Sequence, residues 1–102
     1  MTVRKKTRSH EEALMEELQD PELVANYLTA AIEENDLKTF LLVLRDIAKA
    51  QGVSKISKHT KINRQHIYRA LSKNGNPTLN NMMNILSALD FEFQVIAKKK
   101  AA

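Results

Sequence analysis

Cysteine is absent from this chain of 102 residues. That excludes a disulfide framework and a Cys-ligated zinc site, and it suits a reducing cytoplasm. Glycine and proline occur only twice each, so little interrupts a helix and most of the chain is expected to be helical. No apolar run approaches the roughly 20 residues that a membrane span requires, and no membrane partner is expected. The N-terminus, Met1-Thr-Val-Arg-Lys-Lys-Thr-Arg8, is basic but is followed by an acidic stretch, which is not the pattern of a secretory signal. There is no glycine-rich phosphate loop and no nucleophile-with-base pattern, so an enzyme is not expected, nor is a cofactor. His59 and His66 are seven residues apart with a turn between them and no evident third ligand, so no metal site is expected. A chain of this length makes one domain and can bury a core unaided.

What is present is charge, unevenly placed. From Ser9 to Leu37 there are nine acids and no Lys or Arg. From Lys38 to Ala102 there are twelve Lys or Arg against three acids, Asp46, Asp90 and Glu92. The basic arm of residues 1–8 carries four more positive charges. Such a division points to a polyanion for the second part and a different, basic partner for the first, unless the acidic helices simply solvate themselves.

The apolar spacing divides the chain further. Ser9-His-Glu-Glu12 has the form of a capping box for a short helix to about Leu18. Asp20-Pro21 opens a second helix, with Leu23, Val24, Tyr27, Leu28, Ala31 and Ile32 on one face. Asn35 or Asp36 caps a third, whose stripe is Leu37, Phe40, Leu41, Leu44, Ile47 and Ala48, and Gly52 ends it. Two short helical segments follow, at about 53–60 and 63–72. Asn74-Gly-Asn-Pro77 is a turn, and Thr78 caps a helix with Leu79, Met82, Met83, Leu86 and Leu89 inward. These stripes read as packing surfaces, with no cofactor box among them.

Residues 91–97 differ. Phe91, Phe93 and Val95 alternate on one face of Phe91-Glu-Phe-Gln-Val-Ile96, the pattern of a short strand. A lone strand leaves its backbone unpaired. Its partner is the same strand of a second copy, giving a homodimer through Phe91, Phe93 and Val95, or a strand of another protein; otherwise the segment is an extended tail on the core. Residues 98–102 form a frayed tail.

The stretch Val53 to Ser72 is the most informative. Ile56, Ser57 and Thr60 suit the inward side of its first helix, Ile62 the turn, and Ile67, Ala70 and Leu71 the inward side of its second. A 100° step per residue then sets Gln65, Tyr68, Arg69 and Ser72 outward, with Arg64 and His66 at the edges.

From about Leu37 to Leu89, including Asn74-Gly-Asn-Pro-Thr-Leu79, the sequence resembles the lambda-repressor-like, Cro/C1-type (Xre) helix-turn-helix family. With the upstream Asp20-Pro-Glu-Leu-Val-Ala-Asn-Tyr27 and the trailing Phe91-Glu-Phe-Gln-Val95, the whole chain resembles the addiction-module antidote proteins, similar to HigA-type antitoxins. The resemblance implies an all-α, lambda-repressor-like helix-turn-helix bundle at 36–90, with extra acidic helices at 9–35 and a C-terminal β-strand at 91–97. Two positions depart from the pattern: Ser57 stands where the family usually has Ala, and Lys61 where it often has Gly. If residue 61 needs a left-handed backbone, Lys there costs about 1 kcal/mol.

The resemblance further implies operator DNA as a partner. The second helix enters the major groove; Asn63, Arg64, Gln65, Tyr68 and Arg69 face the bases, with Gln bidentate to adenine and Arg to guanine. Ser54, Lys55, Lys58, Lys61, His66, Lys73 and Thr78 lie toward phosphates; Tyr68 touches DNA or simply packs. The implied protein partner is a small basic, RelE-like toxin, met by the acidic segment with Glu11, Glu12, Glu16 and Glu17. Two other readings compete: a stand-alone Xre-type or prophage repressor with no toxin, and an interaction protein that uses the helix pair as scaffold alone.

Overall fold

The computed structural model describes residues 10–99. Among them six helices run in order: α1 (His10–Glu17), α2 (Pro21–Glu33), α3 (Leu37–Gln51), α4 (Val53–Thr60), α5 (Arg64–Ala70) and α6 (Leu79–Ala88). The architecture is all-α at this level. The basic arm 1–8, the capping residue Ser9 and the tail end 100–102 lie outside the described residues.

Local chemistry places the helix starts. The Asp20 carboxylate accepts from the amides of Glu22 at 3.1 Å and Leu23 at 3.4 Å, and Pro21 fills a first-turn position where no amide is needed. Asn35 turns the chain with φ of 57°, a conformation Asn tolerates better than most residues. Asp36 then caps α3, accepting from the Thr39 hydroxyl at 2.6 Å and the Thr39 amide at 3.1 Å. The hydroxyl first, then the amide, hold the Asp36 carboxyl below its ordinary value, with the Lys38 charge a smaller help. Gly52 adopts φ of 100° where α3 gives way directly to α4, a backbone that glycine enters without strain.

Helix α3 is the hub. It buries Phe40, Leu41, Leu44, Ile47 and Ala48 and receives α1, α2 and α4; α4 in turn receives α5 and α6. Leu18, just past α1, is buried with Val24, Leu28 and Ala31 of α2. The predicted stripes are wider than what is covered. Tyr27, Ile32, Leu37, Leu79 and Met83 are exposed, while Ile85 and Ala88, outside the predicted inward set, are buried. A stripe is buried only where another element crosses it. Ile32, Leu37 and Leu79 instead border an open cavity of about 340 Å³, floored by Phe40, Met82 and Phe93.

The strand expected over 91–97 does not form. Residues 91–99 have no regular secondary structure. Asp90 turns the chain with φ of 67°, the Phe91 amide donates to the Leu86 carbonyl at 2.8 Å, and among the described residues no backbone–backbone hydrogen bond engages 92–99. A single chain offers no second strand, so no ladder can close. The alternation of Phe91, Phe93 and Val95 is split as a result. Phe91 is half-buried against the core, and Phe93 stacks on Phe40 with ring centroids 6.2 Å apart and planes 13° apart. Val95 and Ile96 are 100% and 80% exposed. By itself, the chain shows the third of the fates open to this segment, a tail laid partly on the core.

Candidate nucleic-acid interface

Helix α4 stops because Lys61 turns left-handed, with φ 64° and ψ 19°, while its amide donates to the Ser57 carbonyl at 2.8 Å. Residues 53–72 are therefore two helices and not one. The left-handed backbone is the one in which a side chain costs about 1 kcal/mol over glycine, so the departure at Lys61 carries that strain.

Two hydroxyls compensate by fastening the turn. Ser57 Oγ donates to the Ile62 carbonyl at 2.6 Å. Thr60 Oγ1 donates to the Ile56 carbonyl at 2.8 Å and accepts from the Ile62 amide at 3.2 Å. Ser57, standing where the resembled family usually has Ala, thus supplies a hydrogen bond that alanine cannot. Asn63, in extended backbone, caps α5 by accepting from the His66 amide at 2.8 Å. Ile56, Ile67 and Leu71 are fully buried, and Ile62 and Ala70 are half-buried. Burying one side of a helix this short dictates what its other side presents. Asn63, Arg64, Gln65, His66 and Arg69 are all exposed.

The flanking residues fall into place around α5. Ser54, Lys55, Lys58, Lys61, Lys73 and Thr78 are exposed. Helix α4 starts at Gly52 without a side-chain cap, which leaves the amide end near Ser54 open to an outside acceptor. Thr78 is already engaged: its hydroxyl caps α6 by accepting from the Asn81 amide at 3.1 Å. Gly75 sits so close to α5 that a Cβ there would lie 2.1 Å from the Ala70 carbonyl oxygen. Its amide donates to the Ser72 carbonyl at 2.8 Å, holding Lys73 beside the end of α5.

Between Asp46 and Asp90 the chain carries seven Lys or Arg and no acid. The acids gather elsewhere. Glu12, Glu16 and Glu17 of α1, and Glu22, Glu33 and Glu34 in and after α2, are exposed. The Tyr27 hydroxyl donates to Glu17 at 3.5 Å, tying α2 to α1. Glu11 lies on α1, with its side chain outside the described residues. Among the described residues no group of three potential metal ligands converges, and no helix is long and apolar enough to cross a membrane.

Tyr68 behaves differently from its neighbours. It is half-buried against the core, and the guanidinium of Arg45 on α3 lies 5.9 Å from its ring centroid. Sequence reasoning did not single out Arg45. It follows Leu44 at the edge of the α3 stripe, and only the folded arrangement brings it to Tyr68.

No solved structure matches the chain. An uncharacterized protein of Haemophilus influenzae is 38% identical over 80 residues, 78% of this chain and 82% of that protein. The family model described as "Probable addiction module antidote protein" matches residues 9–97. That match takes in the acidic helices, the α4–α5 unit and the segment after α6 together, and the chain belongs to this family of addiction module antidote proteins.

Proposed function

We propose that this protein is the antitoxin of a type II toxin–antitoxin module, a cytoplasmic, non-enzymatic homodimer. It represses its own operon by sequence-specific binding of operator DNA, and it binds and neutralises a RelE-like toxin. Family membership supports the antitoxin role and a toxin partner in general. The observation that carries the DNA half is the exposed row Asn63, Arg64, Gln65 and Arg69 on a helix whose opposite side is locked into the core.

In this reading α4, its turn and α5 form a Cro/C1-type helix-turn-helix, and α5 enters the major groove with its N-terminal end leading. Gln65 pairs bidentately with adenine, and Arg64 or Arg69 with guanine. Lys55, Lys58, Lys61, Lys73, His66 and the chain near Ser54 and Thr78 hold phosphates; these contacts set position and carry no sequence information. A dimer doubles the contact on half-sites about one helical turn apart. The exposed Val95 and Ile96, on a backbone that pairs with no other backbone among the described residues, suit pairing with the same segment of a second copy. A ribonuclease toxin must be basic to hold RNA, and the acidic faces of α1 and α2 complement it.

The test is fluorescence anisotropy on duplex DNA from the 5′ flank of the gene and on an unrelated duplex of equal length. Preference for the flanking duplex is expected; equal affinity for both contradicts the reading. Size-exclusion at low salt with a co-encoded small basic protein tests the toxin half. A complex supports it, whereas DNA binding without a complex leaves a stand-alone Xre-type repressor.

A further inference from the structure

Arg45 is a cation in an unusual setting. It is half-buried on α3, and its Nε is shut away from water without a hydrogen-bond partner among the described residues. A buried donor left unpaired is unfavourable, and it is uncommon in folded proteins. Its guanidinium lies 5.9 Å from the centroid of the Tyr68 ring, the distance of a cation–π contact. Tyr68 is on α5, four residues after Arg64 and three after Gln65, so all three share one side of that helix. Through the Tyr68 ring, the guanidinium of Arg45, on a helix outside the α4–α5 unit, is linked to the side of α5 that carries Arg64 and Gln65.

We infer that Arg45 is an additional phosphate contact of the operator complex, positioned by Tyr68. The inference rests on the operator reading above. A guanidinium offers several donors in a fixed plane and pairs with phosphate oxygens in fork geometry. Stacking on Tyr68 restricts its rotamers before DNA arrives, so little freedom is lost on binding. Tyr68 then acts through Arg45 instead of reading a base. A carboxylate of a protein partner is the competing ligand, and the salt dependence separates the two, because only a duplex releases condensed counterions.

The experiment measures affinity against salt for the full chain on the flanking and unrelated duplexes. Arg45→Gln is expected to weaken both by the same factor, about tenfold, and to lower the salt slope by about 1. Tyr68→Leu is expected to do likewise, while Tyr68→Phe, which keeps the ring, stays at the wild-type value. If Arg45→Gln fails to fold, the Arg45 Nε–H resonance of the wild-type protein decides: it is expected to shift as duplex is added. An Arg45→Gln slope equal to that of wild type, or an unmoved resonance, overturns the inference while the operator reading stands. Failure of the unmodified protein to bind either duplex removes that reading, and this inference with it.

Discussion

The α4–α5 unit and the segment 91–99 are both short, and both carry apolar residues at regular spacing, yet one is fully determined by its own chain and the other is not. In the first, each helix closes its own backbone, and the turn between them is held by Ser57, Thr60 and Asn63. In the second, two rings find the core and Val95 is left wholly in solvent. A helix satisfies its donors internally, whereas a strand borrows its partner. Apolar spacing can therefore complete a helix pair inside one chain, while the same kind of signal in a strand describes an assembly.

The sharpest way to break this contrast is to remove the anchor of α5. Ile67→Ala empties a fully buried position and is expected to cost about 3 kcal/mol in urea unfolding. Next comes Gly75→Ala, whose Cβ would meet backbone atoms of Ala70 that cannot swing aside. A loss of about 2 kcal/mol is expected by the same measurement. Lys61→Gly works in the opposite direction. It relieves the left-handed strain and is expected to gain about 1 kcal/mol, while the salt slope of DNA binding falls by about 1 because a phosphate contact is lost. Val95→Lys should be nearly silent in the folding of the single chain, within about 0.5 kcal/mol. In sedimentation it should convert a dimer to a monomer; a dimer that survives it does not use this segment.

Much of the fold was legible in the residues. Asp20, Asp36, Asn63 and Thr78 all cap the helices they precede, because an N-cap is a local event between residues two or three apart. Ile56, Ile67 and Leu71 face inward for the same short-range reason. The readings that failed depend on what crosses what. The exposure of Leu37 and Leu79 follows from an uncovered cavity rim, and the burial of Ile85 from the approach of α4 to α6. The Arg45–Tyr68 pair joins residues 23 positions apart through a single side-chain contact. The fate of 91–97 was legible only as an alternative, since sequence pattern registers a need for pairing without saying who answers it. The polar turn was half legible: Lys61 was recognised as a departure, but the bonds by which Ser57 and Thr60 sustain it appear only in three dimensions.

The two charge-separated parts of the chain bear on function in the same way as the two segments bear on folding. Under the proposed function the acidic helices take their meaning from a partner outside the chain, whereas the exposed row of α5 is already formed within it. The most direct measurement is the affinity of Gln65→Ala and Arg69→Ala for the flanking duplex and for an unrelated one. Each is expected to lose about 1–3 kcal/mol on the flanking duplex, while Gln65→Ala keeps its wild-type affinity for the unrelated duplex. Unchanged discrimination between the two duplexes in both variants would rule out base reading by α5.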